Sequence, residues 1–105
     1  SPYMAGVLEL SDEQQEKISE IHEDNAREHF QLMQQMHERK RAMHELWRDG
    51  APDPDAVGEA HQRMSETQRQ MLQLHARMQG EIREVLNDEQ RKRLQQMHRM
   101  QVPGQ

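Results

Sequence analysis

Leu10-Ser11-Asp12-Glu13-Gln14, near the start of the chain, is written again as Leu86-Asn87-Asp88-Glu89-Gln90 near its end. Each copy sets an apolar residue ahead of a Ser or Asn that can N-cap a helix, with two acids in the turn that follows. The cap oxygen satisfies a backbone N–H that has no partner inside the helix, and the acids sit against the positive end of the helix dipole. A helix therefore begins at each copy.

Downstream of Ser11, Ile18, Ile21, Asn25, His29, Leu32, Met36, Lys40, Met43 and Trp47 recur in steps of three and four, one face of an α-helix running to about Arg48. Ala26, Phe30 and Met33 widen that stripe. Asp49-Gly50-Ala51-Pro52-Asp53-Pro54-Asp55 is a loop, because Gly50 suits a helix C-cap and two prolines forbid continuation. Asp53 or Asp55 caps the return helix. Its seam is Val57, Ala60, Met64, Thr67, Met71, Leu74, Met78, Ile82 and Val85, a near-heptad interrupted by Gly80. A last helix opens at Asn87, carries Leu94, Met97 and Met100, and ends before Pro103-Gly104.

Residues 1–9 hold Pro2 and Gly6 without a helical pattern and are read as a flexible lead-in. Residues 10–101 form a single helical domain, and 102–105 a tail. The predicted fold is all-α: a long helical hairpin with short additional helices. With 32% hydrophobic and 3% aromatic residues and a mean hydropathy of -1.25, the chain can pack narrow seams but cannot fill a compact core. An antiparallel homodimer is expected to complete the burial.

The net charge of -5 is uneven. Residues 1–28 carry eight acids and two bases, and residues 29–105 carry eleven acids and twelve bases. That balance, with so few aromatic platforms, argues against nucleic acid as a partner. The absence of cysteine excludes thiol catalysis, disulfides and thiolate metal sites. No run is apolar enough to span a membrane, and no signal-peptide pattern is present, so a cytosolic chain and a processed secreted one are both compatible. Ser11, Ser19 and Ser65 lie on or near helix faces without a glycine-rich elbow or phosphate loop, so no enzymatic activity is expected.

The motif pattern of Leu, then Thr/Ser/Asn, two variable residues and Gln, carried here by Leu10, Ser11 and Gln14 and by Leu86, Asn87 and Gln90, resembles the doubled LTxxQ signature of the Spy/CpxP family of bacterial periplasmic proteins. The resemblance spans Leu8 to Met100 and includes the run Arg39-Lys40-Arg41-Ala42-Met43-His44. It implies a periplasmic location, a thin cradle-like antiparallel dimer, and ATP-independent holding of unfolded or misfolded client proteins in envelope stress. It also implies that an envelope sensor kinase is a candidate partner. For client binding the candidates are Phe30, Met33, Met36, Arg39, Lys40, Arg41, Met43, Leu46 and Trp47, a mixture of adaptable apolar side chains and cations that suits varied unfolded chains.

Seven histidines and nine methionines support the alternative, a periplasmic heavy-metal-binding or metal-sensing protein of the same family. Helical pairs such as His29/Met33, His61/Met64 and Met71/His75 set imidazole and thioether on one face. The histidine pair that precedes the first motif in the nickel and cobalt sensors is missing here, and a partial site of His22, His75 and Met78 remains. No cofactor is required; zinc and copper are the candidate ions, with nickel a further candidate for sensing.

Overall fold

A computed structural model describes residues 2–100 as four helices: α1 (Pro2–Leu8), α2 (Asp12–Leu46), α3 (Pro54–Val85) and α4 (Asp88–Met100). No strand occurs among the described residues. Helices α2 and α3 pack against each other as the expected hairpin. The tail expected at 102–105 lies outside the described residues.

Both motif copies start helices as their chemistry requires. Ser11 Oγ accepts from the Gln14 backbone N–H at 3.1 Å while Gln14 Oε1 accepts from the Ser11 N–H at 3.0 Å. At the second copy Asn87 Oδ1 accepts from the Gln90 N–H and Gln90 Oε1 from the Asn87 N–H, both at 2.9 Å. These are two capping boxes, each with Gln in the reciprocal position. Between α2 and α3, Gly50 takes a positive φ of 112°. Asp53 is the residue that caps α3, its Oδ2 accepting from the Ala56 N–H at 3.2 Å, and Pro54 occupies the first helical position, where a missing N–H costs nothing.

The chain divides into two compact units, Ser1–Glu23 with Met78–Gln105 and Asp24–Arg77. The first has a small core of Leu8, Leu86 and Leu94, against which Met4, Leu10, Ile18 and Met97 pack. Leu8 is only 3% exposed. Residues 2–8 are therefore helix α1, packed on α4, rather than the lead-in without helical pattern that Pro2 and Gly6 suggested. Its C-terminus closes in a Schellman turn: the Leu10 N–H reaches Ala5 O at 3.0 Å, the Glu9 N–H reaches Gly6 O at 3.3 Å, and Glu9 takes the left-handed conformation with φ 55°. Met100 is exposed, so the apolar stripe of α4 ends at Met97.

The second unit is a two-helix seam. Its buried residues are Leu32 on α2 and Ala60, Thr67 and Leu74 on α3, with Met36, Met43, Met64 and Met71 half-buried. An exposed ion pair, Arg77 to Glu28 at 3.7 Å, crosses between the helices and contributes little. On α3 every position expected in the seam is buried or half-buried. On α2 the seam departs from expectation: Arg39 and Leu46 are half-buried where Lys40 and Trp47 were placed, and His29 is exposed. Ala26, Phe30 and Met33 are also exposed and do not widen the stripe.

Two backbone substitutions test this description by urea unfolding. Gly80→Ala adds a Cβ that meets nothing within 4 Å, and should stabilise the chain by about 1 kcal/mol. Glu9→Gly relieves a left-handed residue and should also stabilise, by about 1 kcal/mol; destabilisation by Glu9→Gly would rule out the Schellman turn.

Candidate functional site

The two motif glutamines meet. Gln14 Nε2 donates to Gln90 Oε1 at 2.9 Å, and Gln90 Nε2 donates back to Gln14 Oε1 at 3.1 Å. The second donor of Gln14 goes to Val85 O at 3.0 Å, the last residue of α3. Gln90 directs its other donor to Leu8 O at 3.1 Å, with Glu9 O at 3.4 Å, at the end of α1. Each Oε1 also serves its own capping box. A primary amide has two donors and two acceptor lone pairs, and here all four are engaged on both residues. Each glutamine thus caps the N-terminus of its own helix, closes the C-terminus of another, and binds its counterpart. Gln90 is 6% exposed, so a lost bond there is not replaced by water. Leu10 and Leu86, the apolar residues of the motif, lie half-buried and buried in the same small core.

The candidate client-binding residues divide. Phe30, Met33 and Trp47 stand 62%, 50% and 58% exposed, and Lys40 and Arg41 are exposed beside them in sequence. Met36, Arg39, Met43 and Leu46 are half-buried in the seam. Arg39 Nε is buried without a hydrogen-bond partner, a cost that its position in a thin seam imposes. Met33 and Arg41 line a shallow surface recess on α2 with His37 between them. Leu72, 67% exposed on α3, is a further uncovered apolar side chain of the second unit that the sequence reading does not include. The available signal is its place immediately after Met71, outside the heptad positions.

Of the metal candidates, His22 and His75 line different recesses and Met78 lines neither. His22 lines an apolar recess of about 240 Å³ in the first unit, with Ile18, Ile82, Leu94 and His98. His75 lines a recess in the second unit with Asn25, His29, Met71 and Leu72. Met78 is half-buried on α3. Among the described residues no group of three or more His, Cys, Asp or Glu is placed to hold a metal ion. Glu66 is held below the usual carboxylate range, chiefly by hydrogen bonds from Arg69, one of them 2.9 Å from Arg69 Nε, and Arg69 is raised in return. This pair sits on the open surface of α3.

The amide pair makes a sharp prediction. Gln90→Glu keeps shape and acceptors but donates nothing, leaving Leu8 O and Gln14 Oε1 facing a carboxylate at neutral pH. It should cost about 3 kcal/mol or more in urea unfolding. In a double-mutant cycle Gln14→Leu and Gln90→Leu should be coupled by about 1 kcal/mol or more; additive effects would show that the two amides act separately.

Residues 2–98 match the model of the LTXXQ motif family protein. No curated protein and no solved structure matches the chain. The match covers both motif copies and all four helices but for the end of α4, and the glutamines that define the motif are the ones that bind each other. The chain belongs to the LTXXQ motif family, which includes Spy/CpxP-type proteins.

Proposed function

We infer that this protein is a periplasmic, ATP-independent chaperone-like member of its family that holds unfolded or misfolded proteins during envelope stress. The observation that carries the reading is the set of large apolar side chains left uncovered in the second unit, Phe30, Met33, Trp47 and Leu72, in a chain whose apolar content is already low. That a chain short of apolar residues leaves these four of its second unit in water supports a role for them other than packing its own core.

Magnitudes favour a weak, many-partner mode of binding. Covering one such side chain contributes about 1–2 kcal/mol, less than full burial because each is already partly shielded. Four together give roughly 4–8 kcal/mol, equivalent to dissociation constants between about millimolar and micromolar before ordering costs are subtracted. That strength suits a holdase that must release its clients without nucleotide. Lys40, Arg41 and Arg48 supply cations along the same stretch of chain, which raise encounter rates with acidic segments and keep the loaded protein in solution. A homodimer fits the thin seams, and an envelope sensor kinase remains the further partner that family resemblance implies.

The test is suppression of aggregation of a chemically unfolded client, with oligomeric state measured in parallel. The wild-type chain should suppress aggregation at stoichiometric ratios. Phe30→Ser, Trp47→Ser and Leu72→Ser combined should weaken suppression several-fold while leaving the helical content unchanged, because these side chains contribute little to the core. Equal suppression by the triple variant, or none by the wild type, would remove this reading.

A further inference from the structure

The recess in the second unit that His75 lines has a donor set that neither motif explains. It has a volume of about 370 Å³, and its walls bring His29 and Asn25 from α2 together with Met71, Leu72, Leu74 and His75 from α3. Met71 and His75 are four residues apart on one helix and so share a face, as do Asn25 and His29 on the other. Two imidazoles and a thioether therefore open onto one partly apolar space. A second observation lies at its wall: Asn25, one of the lining residues, has an Oδ1 that is buried and has no hydrogen-bond partner. A buried acceptor left unmatched costs stability, and on a helix face where Leu or Met would serve the seam better it calls for a partner.

We propose that this recess is a copper(I) site in which His29, His75 and Met71 are the ligands and Asn25 is their orienting partner. The donor chemistry selects the ion. Thioether sulfur is a soft ligand that favours copper(I), and imidazole is compatible with it. Structural zinc takes four ligands from thiolate, imidazole and carboxylate, and the recess has no thiolate or carboxylate on its walls. A metal-bound imidazole keeps one ring N–H that needs an acceptor, and its orientation is set by that hydrogen bond. Asn25 Oδ1, one helical turn before His29, is the acceptor available. The three ligands are none of the client-holding side chains, although Leu72, which is one of those, lines the recess.

The experiment is an anaerobic competition titration of the full chain with copper(I) against a chromogenic copper(I) chelator, with zinc run separately. One copper(I) per chain should be withdrawn from the competitor. His29→Gln, His75→Gln and Met71→Leu should each weaken binding by about tenfold or more, and His22→Gln and His98→Gln, in the other unit, should leave it unchanged. Asn25→Leu gives the discriminating readout: it should weaken copper(I) binding about tenfold while raising the thermal unfolding temperature of the metal-free protein, because it removes the unmatched acceptor. The proposal is overturned if copper(I) affinity is the same in the three ligand variants as in the wild type, if it falls equally with His22→Gln and His98→Gln, or if Asn25→Leu leaves it unaltered.

Discussion

Two side-chain amides facing each other hold the ends of four helices. Gln14 and Gln90 exchange hydrogen bonds at 2.9 and 3.1 Å, and each spends its remaining donor on a carbonyl where another helix stops. Helix termini leave backbone groups without intrahelical partners, and a terminus buried without a cap is costly. In a unit with a core of three leucines and a few flanking apolar side chains, hydrophobic burial alone cannot carry that cost. The amide pair replaces it with a closed set of directional bonds. No other residue type serves: Glu lacks the donors, and Asn is one methylene shorter than the reciprocal capping position requires. The glutamine named in the family motif is thus explained by stereochemistry.

The same scarcity of apolar residues shapes the second unit. Its seam is one residue wide on each helix, buried at Leu32, Ala60, Thr67 and Leu74, and filled at the margins by methionine, whose flexible chain accommodates irregular gaps. Arg39 lies in this seam with Nε unmatched, and Asn25 with Oδ1 unmatched. Meanwhile Phe30, Trp47 and Leu72 remain in water. Exchanging polar for apolar residues between these positions would give a better-packed hairpin. That the chain does otherwise is consistent with a surface kept for binding, with stability drawn instead from the motif-bearing end.

Much of this was legible in the residues. The capped starts, the loop and the seam of α3 follow from local chemistry and spacing, and those signals depend on neighbours within one or two turns. Other features were not legible for definite reasons. Helix α1 is short, contains Gly6 and begins at a proline, and its burial is a tertiary fact resting on Leu8 against Leu86 and Leu94. On α2 the apolar and semi-polar positions recur at a mean step of about 3.6 residues, whereas the seam keeps to 3.5 through Asn25, Leu32, Arg39 and Leu46; the mismatch drifts by about 20° per heptad and by the helix's end exchanges Lys40 for Arg39 and Trp47 for Leu46. The motif announced two caps, but that its glutamines also bond each other requires knowing that two distant stretches meet. For the candidate sites, the exposure of Phe30, Met33, Trp47 and Leu72 and the sharing of one recess by His29, Met71 and His75 depend on which faces the hairpin turns together, which no local spacing records.

The dependence of the fold on the amide pair is tested most directly by hydrogen exchange of the side-chain NH2 groups of Gln14 and Gln90, followed by NMR. Both NH2 groups are predicted to exchange as slowly as the protected backbone amides of α4, since they open only when the helix ends separate. Exchange at the rate of the exposed glutamines, such as Gln31 and Gln35, would contradict it.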